Sequence, residues 1–161
     1  MSIVIKKISD EKILIKRYWS NGRLKFEANL NEMPDELLDK ANGTEITPEN
    51  YETKDGSKDG IVSWWFEKGQ IQREVSYKDG KFDGKWAEWF ENGQISSEEH
   101  YKDGKEDGEW AAWDENGQIR SEKHYKAQPD FDHGFRDGKF TIWDENGQIT
   151  LEENYEDNVK V

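Results

Sequence analysis

The stretch Gly84-KWAEWFENGQISSEEH-Tyr101 decides the fold. At its centre, Asn92-Gly93 lies between two runs of strand-forming residues, and Asn-Gly is the strongest short hairpin signal. The block returns without gaps as Gly60-IVSWWFEKGQIQREVS-Tyr77, Gly108-EWAAWDENGQIRSEKH-Tyr125 and Gly138-KFTIWDENGQITLEEN-Tyr155. Connectors Lys78–Asp83 and Lys102–Asp107 carry Asp79-Gly80 and Asp103-Gly104, which suit tight turns. The third connector, Lys126–Asp137, is six residues longer. A worn copy precedes them at 13–30 and contains Tyr18-Trp19-Ser20-Asn21-Gly22. Self-similarity of this kind marks stacked supersecondary units, so each block is expected to be one hairpin of an antiparallel meander.

A two-residue turn at Asn92-Gly93 sets a definite register. Phe90 then faces Ile95, Trp86 faces Glu99 and Gly84 faces Tyr101. Side chains alternate between the faces of a strand. A first face therefore collects Val62, Trp86, Trp110 and Phe140, with Ile71, Ile95, Ile119, Ile149 and the four tyrosines. A second face collects Trp65, Trp89, Trp113 and Trp143. Each tyrosine is expected over the glycine opposite it, a pairing that rescues strand glycines. Phe66 and Phe90 on the first face become Asp114 and Asp144 in the later blocks, which turns that end acidic.

The remaining segments divide the chain into 1–30, the N-terminal strands and worn repeat, 31–50, an insertion, and 51–161, the four repeats. Within 31–50, Pro34 and its following acids, then Asn42-Gly43, predict a short helix over 34–41. Leu37 and Leu38 on it are expected to cap Phe66 and Phe90.

Composition alone points the other way. Leu, Ile, Val and Phe number 30 of 161 residues, and net charge is −13. Such values normally describe a disordered chain. Aromatic residues at 13% resolve the conflict, because large rings in fixed columns replace the missing aliphatic core. The charge is uneven: residues 1–30 carry +4 and residues 51–161 carry −12. An acidic body lacks the clustered Lys and Arg that bind phosphate, so neither direct nucleic-acid binding nor an anionic membrane is expected. It suits a basic partner. Without cysteine there is no disulfide, thiol nucleophile or Cys-ligated metal. No apolar run is long enough for a spanning helix or signal region, and a cytoplasmic location is expected.

No residue pattern supports catalysis. Glu74, Glu98, Glu122 and Glu152 recur once per block, and a repeated residue reads as scaffolding sooner than as a single acid–base pair. There is no GxSxG, phosphate-cradling loop or HExxH. His100 and His124 share one column, but a metal site needs three or four converging ligands. Asp130-Phe131-Asp132-His133-Gly134 hints at a calcium loop and fails its pattern at Gly134 and Thr141. No metal or cofactor is expected. The candidate contact residues are the ladder Trp65, Trp89, Trp113 and Trp143, the acids Asp114 and Asp144, and Phe131 and Phe135 in the inserted connector. Loops grafted on a regular scaffold often carry function, and aromatic anchors are enriched at hot spots.

The unit G-x-W-x-x-W-[FD]-E-N-G-Q-I-x-x-E-x-x-Y-K-D-G-K resembles the MORN repeat variant of bacterial proteins, YwqK-family antitoxins among them. Gly84–Lys105 and Gly108–Lys126 carry it most fully. The resemblance implies an elongated single-layer antiparallel sheet of stacked hairpins that serves as a binding scaffold, with no catalytic residues. The leading expectation is therefore a non-enzymatic protein-binding module, of the kind that as an antitoxin or immunity protein masks a basic partner. Two other readings stand beside it. The Trp ladder could grip carbohydrate or choline groups, and an acidic surface could mimic nucleic acid. Both sheet ends offer edges whose charge opposes pairing, so a monomer or weak homo-oligomer is expected.

Overall fold

The computed structural model describes residues 3–9, 12–30 and 58–161. These form one fourteen-stranded sheet with a meander order, and every pairing in it is antiparallel. The expected helix over 34–41, with its Leu37 and Leu38 cap, lies outside the described residues. Strands β1 (Ile3–Ser9), β2 (Lys12–Tyr18) and β3 (Leu24–Leu30) open the sheet. Then come the hairpins β4–β5 (Lys58–Trp65, Ile71–Lys78) and β6–β7 (Lys81–Trp89, Ile95–Lys102). The short β8 (Lys105–Glu106) leads into β9–β10 (Gly108–Trp113, Ile119–Ala127). The inserted connector supplies β11 (Gly134–Arg136), followed by β12–β13 (Gly138–Trp143, Ile149–Glu156) and β14 (Val159–Lys160). The repeats therefore fold as expected, one hairpin each.

The turn chemistry differs from the two-residue reading of Asn92-Gly93. Gly93 N–H donates to the Phe90 carbonyl and Phe90 N–H to the Gln94 carbonyl. Gly93 has φ 87°, whereas Asn92 is not left-handed. This is a three-residue loop, a type I turn followed by a left-handed glycine and a bulge. A type I′ turn would force both residues left-handed, and this loop asks it only of glycine. The bulge moves the register by one, so Trp89 pairs with Ile95 while Glu88 still pairs with Ser97. The isoleucines consequently leave the first face and join the tryptophans on the second. The same shift occurs at Trp65–Ile71, Trp113–Ile119 and Trp143–Ile149. Two-residue turns with both residues left-handed lie instead in the connectors, at Asp79-Gly80 and Asp103-Gly104.

The expected pairing of Gly84 with Tyr101 holds. What the glycine serves is different. Gly84 and Gly138 have φ 102° and 109°, and a Cβ on either would sit 3.2 Å from the Cβ of Ser76 or His124 in the neighbouring hairpin. A kinked strand and a close neighbour both require glycine there.

Packing on the first face changes along the sheet. At the N-terminal end Ile15, Phe26, Ala28, Val62, Trp64 and Val75 form a buried cluster. Farther on, rings take over. Tyr77, Phe82, Tyr101, Trp110, Tyr125, Phe140 and Tyr155 follow one another with centroids 5.1–5.3 Å apart. Equivalent rings two strands apart leave about 9.6 Å, and the tyrosine of each repeat fills that gap. Contacts at this spacing each add about 0.5–1.5 kcal/mol beyond area burial.

Candidate functional site

The second face carries three parallel rows. Nearest the hairpin loops, Trp65, Trp89, Trp113 and Trp143 pair with Ile71, Ile95, Ile119 and Ile149. All four tryptophans are partly exposed, and Ile149 is 53% exposed. No ring contact joins these tryptophans to one another among the described residues, in contrast to the first-face ladder.

Beside them runs a row fixed by ladder pairing: Lys16, Glu27, Ser63, Glu74, Ala87, Glu98, Ala111, Glu122, Thr141 and Glu152. Small side chains alternate with glutamates, so each carboxylate stands over a buried or half-buried floor at Ser63, Ala87, Ala111 or Thr141. Lys16 pairs with Glu27 at 2.6 Å, Lys139 with Glu152 at 2.9 Å, and Lys85 with Glu98. Among the described residues Glu74 accepts only a long hydrogen bond, 3.5 Å, from the Ser63 hydroxyl. Glu122 makes no ion pair among the described residues.

The third row explains that difference. Its positions are Ile61, Lys85, Glu109 and Lys139 on one strand of each hairpin, facing Ser76, His100, His124 and Asn154. The third repeat places Glu109 where its neighbours place lysine. Glu109 and Glu122 thus share one hairpin face without a cation of their own. Together with Glu98, Trp113, His124 and Lys139 they line an open groove of about 930 Å³. The histidines hold the strands: Nδ1–H of His100 donates to the Glu109 carbonyl at 3.0 Å, and that of His124 to the Asp137 carbonyl at 2.7 Å. Among the described residues no group of His, Cys, Asp or Glu is arranged to hold a metal ion.

Asp114 and Asp144 sit elsewhere, at the first position of their loops. Asp114 accepts the N–H groups of Asn116 and Gln118 at 2.9 and 3.0 Å, and Arg120 pairs with it at 2.7 Å. Asp144 accepts from Asn146 and Gln148 in the same way. The backbone N–H of Gln118 or Gln148, the largest influence, lowers each carboxyl below its ordinary range. Their hydrogen bonds serve the loops.

The inserted connector is a tied-down arm. Its β11 pairs with β10, Gly134 N–H donates to Glu106 at 2.7 Å, and Lys105 binds the carbonyls of Gln128 and Pro129 at 2.6 and 2.9 Å. Phe131 and Phe135 meet at 4.7 Å and share a cluster with His133. Phe131 remains 49% exposed. Sequence reasoning selected Phe131, Phe135 and the tryptophans. It passed over Glu109, although the break in the Lys85–Lys139 column was visible in the aligned blocks.

A family model described as MORN repeat variant matches residues 58–79, 82–103, 106–127 and 136–157, over half of the chain. Repeats of this kind are generally non-enzymatic modules that bind proteins or membranes. No curated protein matches this chain.

Proposed function

The chain belongs to the MORN repeat variant family, and from that membership we propose that it is a protein-binding scaffold whose second face receives a cation-bearing partner. The observation that carries this is the groove at Trp113, where Glu109 and Glu122 lack the lysine that neutralises the matching carboxylates of the second and fourth repeats. The partly exposed tryptophans beside it offer apolar contact and cation–π attraction. The body's charge of −12 favours a basic protein over an anionic membrane. An antitoxin or immunity protein that masks a basic toxin is the specific form of scaffold this charge suits. Nucleic-acid mimicry fits less well, because lysines already pair with Glu27, Glu98 and Glu152 and interrupt the negative row.

Affinity capture with mass spectrometry tests this reading when it is run with charge-matched variants. A protein held by the wild type and by Glu115→Lys/Glu145→Lys on the loops, yet lost from Glu109→Lys/Glu122→Lys, is the expected result. Equal retention by both variants would overturn the placement of the surface.

A further inference from the structure

We propose that the occupant of the second face is an extended basic segment in the polyproline II conformation, which returns the same side to each hairpin and sets Lys or Arg against the glutamates that lack a lysine of their own. This rests on the protein-binding reading above and adds the conformation and spacing of what is bound.

The inference comes from the repeat distance. Successive hairpins advance by two strands, about 9.6 Å. The tryptophans at 65, 89, 113 and 143 and the glutamates at 74, 98, 122 and 152 therefore recur together at that step. A polyproline II helix completes one turn in three residues and about 9.3 Å, so the same side returns at each hairpin. Neither other regular conformation does this. An α-helix covers the step in about 6.4 residues, nearly two turns, and slips out of phase. A β-strand covers it in about three residues, and its odd-numbered steps turn the side chain to the opposite face.

The chemistry of the rows matches. Each partly exposed tryptophan, paired with an isoleucine, offers an aromatic face of the kind on which proline-rich segments dock. The glutamate row runs alongside at the same pitch; Glu98 and Glu152 are taken by Lys85 and Lys139, whereas Glu74 and Glu122 make no ion pair among the described residues. Its strongest acceptor is the third repeat, where Glu109 and Glu122 border the groove beside Trp113. Guanidinium suits this place best, because it stacks on an aromatic face while donating to carboxylates.

Fluorescence anisotropy with three labelled peptides of equal charge tests the proposal. The first consists of four Pro-Pro-Arg triplets, the second of four Gly-Ser-Arg triplets, and the third is a Leu/Arg amphipathic helix. At about 0.15 M salt, where exposed charges are screened beyond roughly 8 Å, the proline peptide is expected to bind about tenfold tighter than either control. Glu109→Lys/Glu122→Gln should abolish that advantage with the melting temperature unchanged. Three peptides of equal affinity, or no binding by any, would overturn the proposal. Tightest binding by the helix would overturn it too while leaving the protein-binding reading intact.

Discussion

The two faces of this sheet carry aromatic ladders of opposite character. On the first, rings touch in sequence from Tyr77 to Tyr155, half-buried throughout except for the buried Phe140. On the second, four tryptophans stand one per hairpin, each against an isoleucine and none against another. The difference lies in what fills the gap between hairpins. The first face has a tyrosine at each step, and the second has an isoleucine, which carries no ring to continue the ladder. One ladder is closed by its own chain and holds the sheet together. The other presents evenly spaced, partly exposed rings next to charge.

Removing a ring from each ladder separates these roles. Trp110→Ala deletes contacts to Tyr101 and Tyr125 at 5.2 and 5.1 Å and the Nε1–H bond to the His100 carbonyl. Losing a half-buried ring together with these contacts is expected to cost about 3 kcal/mol in urea unfolding. Gly138→Ala comes next, at about 2 kcal/mol, because φ 109° is strained for a side chain and the new Cβ meets His124. Trp113→Ala should cost about 1 kcal/mol or less in the same assay, because among the described residues no ring contact or indole hydrogen bond holds it, and yet lose the captured partner. A loss as large as that of Trp110→Ala would mean that the second ladder is also structural.

The smallest effect concerns pH. Asp114 and Asp144 have carboxyls lowered by loop N–H groups, so their stabilisation is complete above the ordinary carboxylate value, about 4, and is lost as pH falls through their lower folded values. Asp114→Asn/Asp144→Asn should therefore flatten the decline in melting temperature below about pH 4. Glu99 acts oppositely. Burial raises its carboxyl despite the hydrogen bond from Tyr101 at 2.8 Å, so its contribution is fully present below the ordinary value and declines as pH rises through the raised one. Glu99→Gln is expected to gain stability at neutral pH relative to wild type, and an unchanged melting curve would contradict that.

Much of this was legible in the aligned blocks. Gly84 opposite Tyr101, the division between Trp86 and Trp89, and the column of rings follow from alternation along a strand. The loop geometry did not, because Asn-Gly serves both a two-residue turn and a three-residue loop with a left-handed glycine. That single ambiguity misplaced Ile95 and its equivalents by one face. The core was also obscured. Residues 13–30 read as a worn repeat, yet Ile15, Phe26 and Ala28 are among the most buried side chains, and Arg17 is 2% exposed beside them. Repeat likeness tracks the exposed periodic features, whereas burial at the end of the sheet depends on which neighbour a strand receives. The open groove escaped notice for a different reason: the break in symmetry at Glu109 matters only because Lys85 and Lys139 reach Glu98 and Glu152 in the neighbouring repeats, a side-chain contact that strand alternation does not give.

The division of labour between the ladders can be read directly by ¹⁹F NMR on fluorotryptophan-labelled protein during titration with the proline–arginine peptide. The expected result is that Trp113 and its second-face equivalents at 65, 89 and 143 shift while Trp86 and Trp110 stay in place. Movement of Trp86 and Trp110 with Trp113 unmoved would contradict the account.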